Sequence, residues 1–474
     1  MSSPPSSATV SEQSFTFWQV VRQSLRGEHL DYTSLPLNRA VLLLAVPMVL
    51  EMLMESLFAV ADVFWVSHLG SDAVAIVGIT ESVMALIYAV AIGISIAGSA
   101  VVARRIGEKD PEAAAEAAGQ VILLGIALST VLGAVLSYFA ADILRLMGSD
   151  AKIVAQGTDF ARIMFGGNAT VFLIFLINSV FRGASDAVLA MRTLWLANAL
   201  NIVLGPCFIF GLGPFPELGV TGAAVATNIG RGTGVLYQVW HLYGNHSRLN
   251  VKPHHFKPEL GLMRTIVATS TNGIAQLLIG TTSWIGLFKI LAMFGSAALA
   301  GFTIAMRIVS FAVLPAYGLA NAGATLVGQN LGAGRPDRAQ DAVTIATRFN
   351  TMFLGVVGLV FIGFASPMVS AFASDADVQR QGAQALWIVS LGFPLYAMGM
   401  GFGAAFNGAG DTWTPTRLNF FCFWLGQIPA AWVLGVILNL GPTGVFISLP
   451  LAFSALALAS WWLFRKGTWK QKRV

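Results

Sequence analysis

Residues 98–114 read GSAVVARRIGEKDPEAA, and residues 323–339 read GATLVGQNLGAGRPDRA. Under an offset of 225 residues, Gly98, Gly107, Pro111 and Ala114 fall on Gly323, Gly332, Pro336 and Ala339. The same offset carries Gly70, Ser71, Ala73 and Ala75 onto Gly295, Ser296, Ala298 and Ala300 upstream. Downstream it carries Gly183, Ala184 and Asp186 onto Gly408, Ala409 and Asp411. Thr221-Gly222 pairs with Thr443-Gly444 at 222, so a short deletion intervenes. One register held over more than a hundred residues makes the chain two copies of one unit.

Composition says what that unit is made of. Of 474 residues, 56% are hydrophobic and 11% charged, with mean hydropathy +0.72. A soluble domain carries roughly 25% charged residues, so this chain does not present a large solvated surface. Span-length apolar windows occur twelve times. The first six lie near 38–66, 73–103, 119–140, 154–181, 188–211 and 219–243. The second six lie near 263–291, 297–328, 342–369, 381–406, 414–438 and 442–465. The fold class is an all-α polytopic membrane protein, with twelve transmembrane helices in two six-helix lobes related by a parallel internal repeat. Transporters built from such repeats place substrate between the halves and rock one against the other.

The expected organisation is a tail over 1–35, an N-lobe over 36–243, a linker over 244–262, a C-lobe over 263–465 and a basic tail over 466–474. Met1 to Gln13 is Ser/Pro-rich and reads as disordered. Phe15, Phe17, Trp18, Val21 and Leu25, with Arg22 and Arg26, read as an amphipathic helix on the membrane surface. Most of the 28 Lys and Arg residues fall in loops that share a side with both termini. Only Arg145, Lys152, Lys289 and Arg380 face the other side, and Arg162, Arg231 and Arg307 fall within spans. The positive-inside rule then puts both termini in the cytoplasm, and explains the net charge of +5 without nucleic acid.

Several chemistries are excluded. Cys207 and Cys422 sit in apolar runs and supply neither a disulfide framework nor a zinc cluster. No P-loop sequence occurs. Gly93-Ile94-Ser95-Ile96 would need a convergent histidine to hydrolyse anything, and the only one well inside a span is His241, at the end of span 6. The reading is a non-enzyme with no metal and no organic cofactor.

Charged side chains inside spans cost at least ~2.5 kcal/mol each near the bilayer centre, and span 1 has three. Glu51, Glu55 and Asp62 lie within about 40° of one another around an α-helix. Such a face lines a water-filled cavity, and mutual repulsion favours a proton on one member. The plainer alternatives are a structural hydrogen-bond network for the Glu pair and an interfacial cap for Asp62. Pro47, one turn before the stripe, should kink span 1 or let it bend, passively or in response to protonation. In the second repeat Gln276 stands opposite Glu51 and Leu287 opposite Asp62, so ion coupling belongs to the first half. Asn272, Gln276 and Trp284, with Asn168 from the first half, are candidates for the substrate cavity. Asn178, Asn198, Asn201 and Asn228 read as cavity ligands or interhelical glue. Glu81 is a further buried acid. Arg231 and Arg307 either pair with an acid or snorkel. Arg182, Asp186 and Asp411 read as loop fixtures.

These features resemble the multidrug and toxic compound extrusion (MATE) family. The resemblance rests on Pro47, on Ala61-Asp62-Val63-Phe64 ahead of Leu69-Gly70, and on the Gly98–Gly107 segment. It rests also on Asn201-Ile202-Val203-Leu204-Gly205-Pro206 ahead of Gly222-Ala223-Ala224-Val225-Ala226-Thr227. It covers nearly all of 36–465, and is nearer to the DinF-like branch than to the NorM branch. It implies an inner-membrane antiporter that exports amphipathic, often cationic organic compounds against H⁺ or Na⁺, a monomer sufficing. By motif the N-lobe cation site falls on Asp62, Asn178, Asn201 and Thr227, with Pro47 as the bending residue. The second carboxylate common in that site is replaced by Gly205, for which Glu51 and Glu55 could substitute. The acids of the NorM branch in spans 7 and 10 are also missing, which favours H⁺ as the coupling ion. A flippase for a lipid-linked precursor on the same fold is the alternative; it would want a cationic cavity.

Overall fold

The computed structural model describes residues 17–28, 30–244 and 247–472. The expectations for Met1–Gln13, Phe15 and the last two residues of the basic tail lie outside these. Among the described residues every regular element is helical. This is the solution lipid demands, because a helix satisfies its backbone polar groups within itself.

After a short helix α1 (Phe17–Ser24), the N-lobe runs α2 (Leu37–Ser67), α3 (Ser71–Gly107), α4 (Pro111–Tyr138), α5 (Ala140–Leu146), α6 (Ala151–Gly166), α7 (Asn168–Gly183), α8 (Ala187–Phe210) and α9 (Val220–Tyr243). The C-lobe runs α10 (Leu260–Ala292), α11 (Ser296–Gly332), α12 (Pro336–Ser370), α13 (Ala376–Leu391), α14 (Phe393–Gly408), then Trp413–Ile437 and Pro442–Lys466.

The repeat is visible in the backbone. α3 and α11 are 37 residues each and start and stop 225 residues apart. α6 and α13, and α7 and α14, match the same way. Left-handed backbone recurs at Gly70 and Gly295, Lys109 and Gly334, Ser185 and Gly410, and at the 222 offset Gly219 and Gly441. The caps repeat too: Asp150 accepts from the Ile153 amide at 2.8 Å, and Asp375 from the Asp377 and Val378 amides at 2.8 and 3.0 Å. Pro111 and Pro336 open α4 and α12 at the position where a missing N–H costs nothing.

Three spans differ from expectation. Spans 4 and 10 are each two helices. α13 and α14 meet at 52° across Gly392, and α6 and α7 are divided at the equivalent Gly167. Span 6 forms as α9, but it is not among the helices apolar enough to qualify as spans by composition. Its Gly222 and Gly230 let α9 lie directly on the Phe208 and Ala197 carbonyls of α8, an interface of small residues rather than large apolar ones.

The lobes meet through α2 and α3 against α11, and α3 against α10. Their tightest approaches cluster toward the end that carries the termini. A Cβ on Gly107 would collide with the Gln329 carbonyl, and one on Gly332 with the Arg104 carbonyl, a crossing that maps onto itself under the 225 offset. Gln329 donates across it to the Gly183 carbonyl at 3.0 Å and to Ser185 Oγ. Arg335 donates to the Thr33 carbonyl at 2.9 Å, and Arg338 to the Tyr32 and Leu35 carbonyls. The linker joins this seal through Arg248, which donates to the Leu30 carbonyl, and whose amide donates to Asp186 at 2.7 Å.

α1 buries Val20 and Ser24 and leaves Trp18 74% exposed, so it lies against α2 with an amphipathic outer face. The basic tail is docked rather than free over its described part. Trp469 is fully buried and stacks on Phe464 at 5.2 Å, and Lys470 pairs with Asp337 at 3.1 Å.

Candidate functional site

α2 carries its three carboxylates into the N-lobe, and each meets a different environment. Glu51 is completely buried. Its Oε1 accepts from Arg182 Nη1 at 2.6 Å and from Asn178 Nδ2 at 3.1 Å, and Gln238 donates to Asn178 Oδ1 at 2.7 Å. This corrects two expectations. Glu51 does not face a water-filled cavity, and Arg182 is not a loop fixture: it turns back from the end of α7 and neutralises Glu51 inside the lobe. A charge removed from water survives only with such a partner. Asp186 and Asp411 do hold loops, through Arg248 and through Thr414 and Lys472.

Glu55, one turn on, is half-buried. Asn198 donates to its Oε2 at 2.9 Å, and Arg231 Nη2 lies 4.0 Å from its Oε1. Arg231 comes from α9 and is 5% exposed. Its Nη1 donates to the Tyr88 hydroxyl at 2.8 Å, and the guanidinium lies 5.5 Å from the Tyr88 ring centre and 5.8 Å from that of Phe58. Arg231 therefore pairs with acid and aromatic groups, whereas Arg307 on α11 is exposed.

Asp62 is half-buried, and it makes no hydrogen bond or ion pair among the described residues. Glu81 on α3 is placed the same way, and both lie within electrostatic reach of Arg231. Asn201 and Thr227 are brought together, Asn201 Nδ2 donating to Thr227 Oγ1 at 2.8 Å. The position one turn after Asn201 is Gly205, where a Cβ would lie 3.7 Å from the Trp65 ring.

The remaining candidates are scattered. Asn168 is fully buried at the α6–α7 break, beside Gly133 of α4. It packs inside the lobe, away from any surface open to solvent. Asn228 is likewise spent on Thr170 and the Ile163 carbonyl. In the C-lobe, Gln276 and Asn272 lie on α10, which holds Trp413–Ile437 through backbone: the Asn272 carbonyl accepts from Thr416 at 2.8 Å and that of Gln276 from Asn419 at 3.3 Å. Trp284 packs into the C-lobe core beside Phe302, ring centres 6.3 Å apart. Leu287, opposite Asp62, is fully buried in the same core.

Pro47 lies inside α2, which is a single helix from Leu37 to Ser67. By contrast, Pro367 in α12 is preceded by a break at Phe364 (φ −118°, ψ 18°). Pro47 borders a cavity of about 110 Å³ beneath α1, so α2 has free space beside its proline.

A protein-family profile, MatE, matches residues 47–207 and again 274–433, more than half of the chain. The chain belongs to the MatE family. The two matches are the two lobes. Among MatE relatives, a probable multidrug resistance protein, YoeA of Bacillus subtilis (strain 168), is 26% identical over 440 residues, covering 92% of this chain and 95% of the relative. A probable multidrug resistance protein NorM of Thermotoga maritima is 25% identical over 458 residues, covering 96% and 98%. A crystal structure of MATE in the straight conformation superposes with TM-score 0.88 at 25% identity, over 93% of this chain and 98% of that one. This MatE protein is a multi-pass membrane efflux transporter.

Signals for Arg182 and Arg231 were present in the sequence. Arg182 is a charge at the end of span 4, within an arginine's reach of the buried part of the lobe. Arg231 is a charge in mid-span, which always requires a partner.

Proposed function

We propose that the chain is a proton-coupled antiporter of the inner membrane, with both termini cytoplasmic, that exports amphipathic and cationic organic compounds by alternating access of its lobes. The observation that carries this reading is the division among the α2 acids. Glu51 and Glu55 are engaged by Arg182, Asn198 and Arg231, while Asp62 has no hydrogen bond or ion pair among the described residues. A group without a fixed partner is the one free to exchange a proton for a cation. The missing acid at Gly205 leaves few oxygens for Na⁺, which supports H⁺.

In this cycle the seal around Gln329, Arg335 and Arg338 closes the cytoplasmic side, so the described state faces outward. A proton entering from outside neutralises Asp62, and α2 bends at Pro47 into the space beside it. The bend reshapes the N-lobe surface and releases the substrate. Two fused lobes are enough for this, so the transporter works as a monomer.

The test is ethidium efflux from everted vesicles or proteoliposomes under an imposed pH gradient or an imposed Na⁺ gradient, for wild type and Asp62→Asn. Transport driven by the pH gradient and lost in Asp62→Asn is expected. Transport driven by Na⁺ alone would refute the ion assignment. Movement of no cation under either gradient would transfer the reading to a flippase for a lipid-linked precursor.

A further inference from the structure

The buried guanidinium of Arg231 has no place in the antiport cycle above. It sits among side chains of α2, α3 and α8. α2 contributes Glu55, Phe58 and Asp62, α3 contributes Glu81 and Tyr88, and α8 contributes Asn198, which holds Glu55 from the other side. Arginine stays charged under all physiological conditions, so this is a permanent cation covalently tied to α9.

We propose that Arg231 is the resident cation of the N-lobe, consuming the oxygen ligands that a sodium ion would need and so restricting coupling at Asp62 to protons. The inference rests on the antiport reading and names what selects its ion. Charge alone does not discriminate, because Arg231 repels an arriving proton and an arriving sodium ion alike. Ligand supply does. A proton needs one oxygen, whereas a hard metal cation needs a shell of several.

Much of that shell is engaged. Glu55 Oε1 faces Arg231 Nη2 at 4.0 Å and its Oε2 accepts from Asn198 at 2.9 Å. The Tyr88 oxygen accepts from Arg231 at 2.8 Å. Thr227 Oγ1 accepts from Asn201 at 2.8 Å and donates to the Ala223 carbonyl at 2.9 Å. Gly205 offers no side chain at all. What is left over is the Asp62 and Glu81 carboxylates and Asn201 Oδ1, on three different helices: a proton needs one of these oxygens, whereas a sodium shell would have to draw them all together.

The experiment is thermal unfolding of the purified full-length protein at pH 8 in detergent, in NaCl and in choline chloride at equal ionic strength, together with direct binding of radioactive sodium. Wild type and Arg231→Lys, which keeps a cation in place, should unfold at the same temperature in both salts and bind no sodium. Arg231→Met frees Glu55 and Tyr88. It should unfold about 2 °C higher in NaCl at ten times the new site's dissociation constant. Arg231→Gln, which keeps a donor for Tyr88, serves if the Met variant does not fold. Sodium-specific stabilisation of wild type overturns the inference, as does a folded Met or Gln variant that gains none. Neither readout needs a gradient, so failure of proton coupling in vesicles is seen separately from failure of sodium exclusion here.

Discussion

On α2 of the N-lobe, positions 51, 55 and 62 are Glu, Glu and Asp; on α10 of the C-lobe the matching positions 276, 280 and 287 are Gln, Gly and Leu. The partners change with them. Tyr88 and Glu81 of α3 correspond to Val313 and Met306 of α11, Arg182 to Asn407, and Arg231 to Phe453. Phe453 packs on Tyr396 with ring centres 4.5 Å apart, so an aromatic contact fills the place that an ion pair takes in the N-lobe. The helices, their caps and their left-handed turns are shared, and the ionisable groups are not. A duplicated scaffold needs both copies to make a rocking interface, but one copy is enough to hold the ion.

The comparison breaks most visibly at its titratable position. Asp62→Asn should reduce pH-gradient-driven efflux to background, a loss of about a hundredfold or more. Leu287→Ala should leave coupling intact and instead lower stability by about 2–5 kcal/mol through a core cavity, read as a fall in unfolding temperature. Coupling lost in Leu287→Ala with its fold intact would mean that the C-lobe shares the ion site.

The buried pair comes next. Arg182→Ala leaves Glu51 charged and unpaired, and should destabilise by about 3–5 kcal/mol, seen as loss of folded protein in detergent. Glu51→Gln in the same chain should restore most of it. Asn407→Ala, at the mirror position, should cost no more than ~1 kcal/mol.

The interface tests the shared half of the comparison. Gly107→Ala and Gly332→Ala each place a methyl against a carbonyl of the opposite lobe, an overpacking worth about 1–3 kcal/mol. Because the crossing maps onto itself, the two variants should shift the outward-facing population by similar amounts, about fivefold or more. Engineered cysteines across the Gln329–Gly183 seal would report this as reduced cross-linking. Smallest of all, Arg307→Gln should change stability by under ~0.5 kcal/mol, whereas Arg231→Gln should not be silent.

Much of this was legible in the sequence because a repeat and a period are global signals. The 225 offset, read from Gly98, Gly107 and Pro111, is the offset between α3 and α11, and the 100° period placed the three acids of α2 on one face. What sequence could not give is which acid meets which cation. Arg182 lies 131 positions from Glu51, and helix packing, not spacing, brings them together. The division at Gly167 is hidden because Gly166-Gly167-Asn168 interrupts an apolar run too briefly to lower a span-length average. Span 6 shows the opposite. Its glycines dilute its hydropathy, yet they are what allow it to pack on α8. Pro47 illustrates a third limit, since a proline permits a bend without saying in which state of the cycle the helix is bent.

The central claim is that a single N-lobe carboxylate exchanges a proton for substrate. It is tested most directly by counting protons released on ethidium binding, using a pH indicator in weakly buffered detergent solution, for wild type, Asp62→Asn and Glu55→Gln. The account predicts about one proton released per ethidium bound in wild type and in Glu55→Gln, and none in Asp62→Asn. Undiminished release from Asp62→Asn would contradict it.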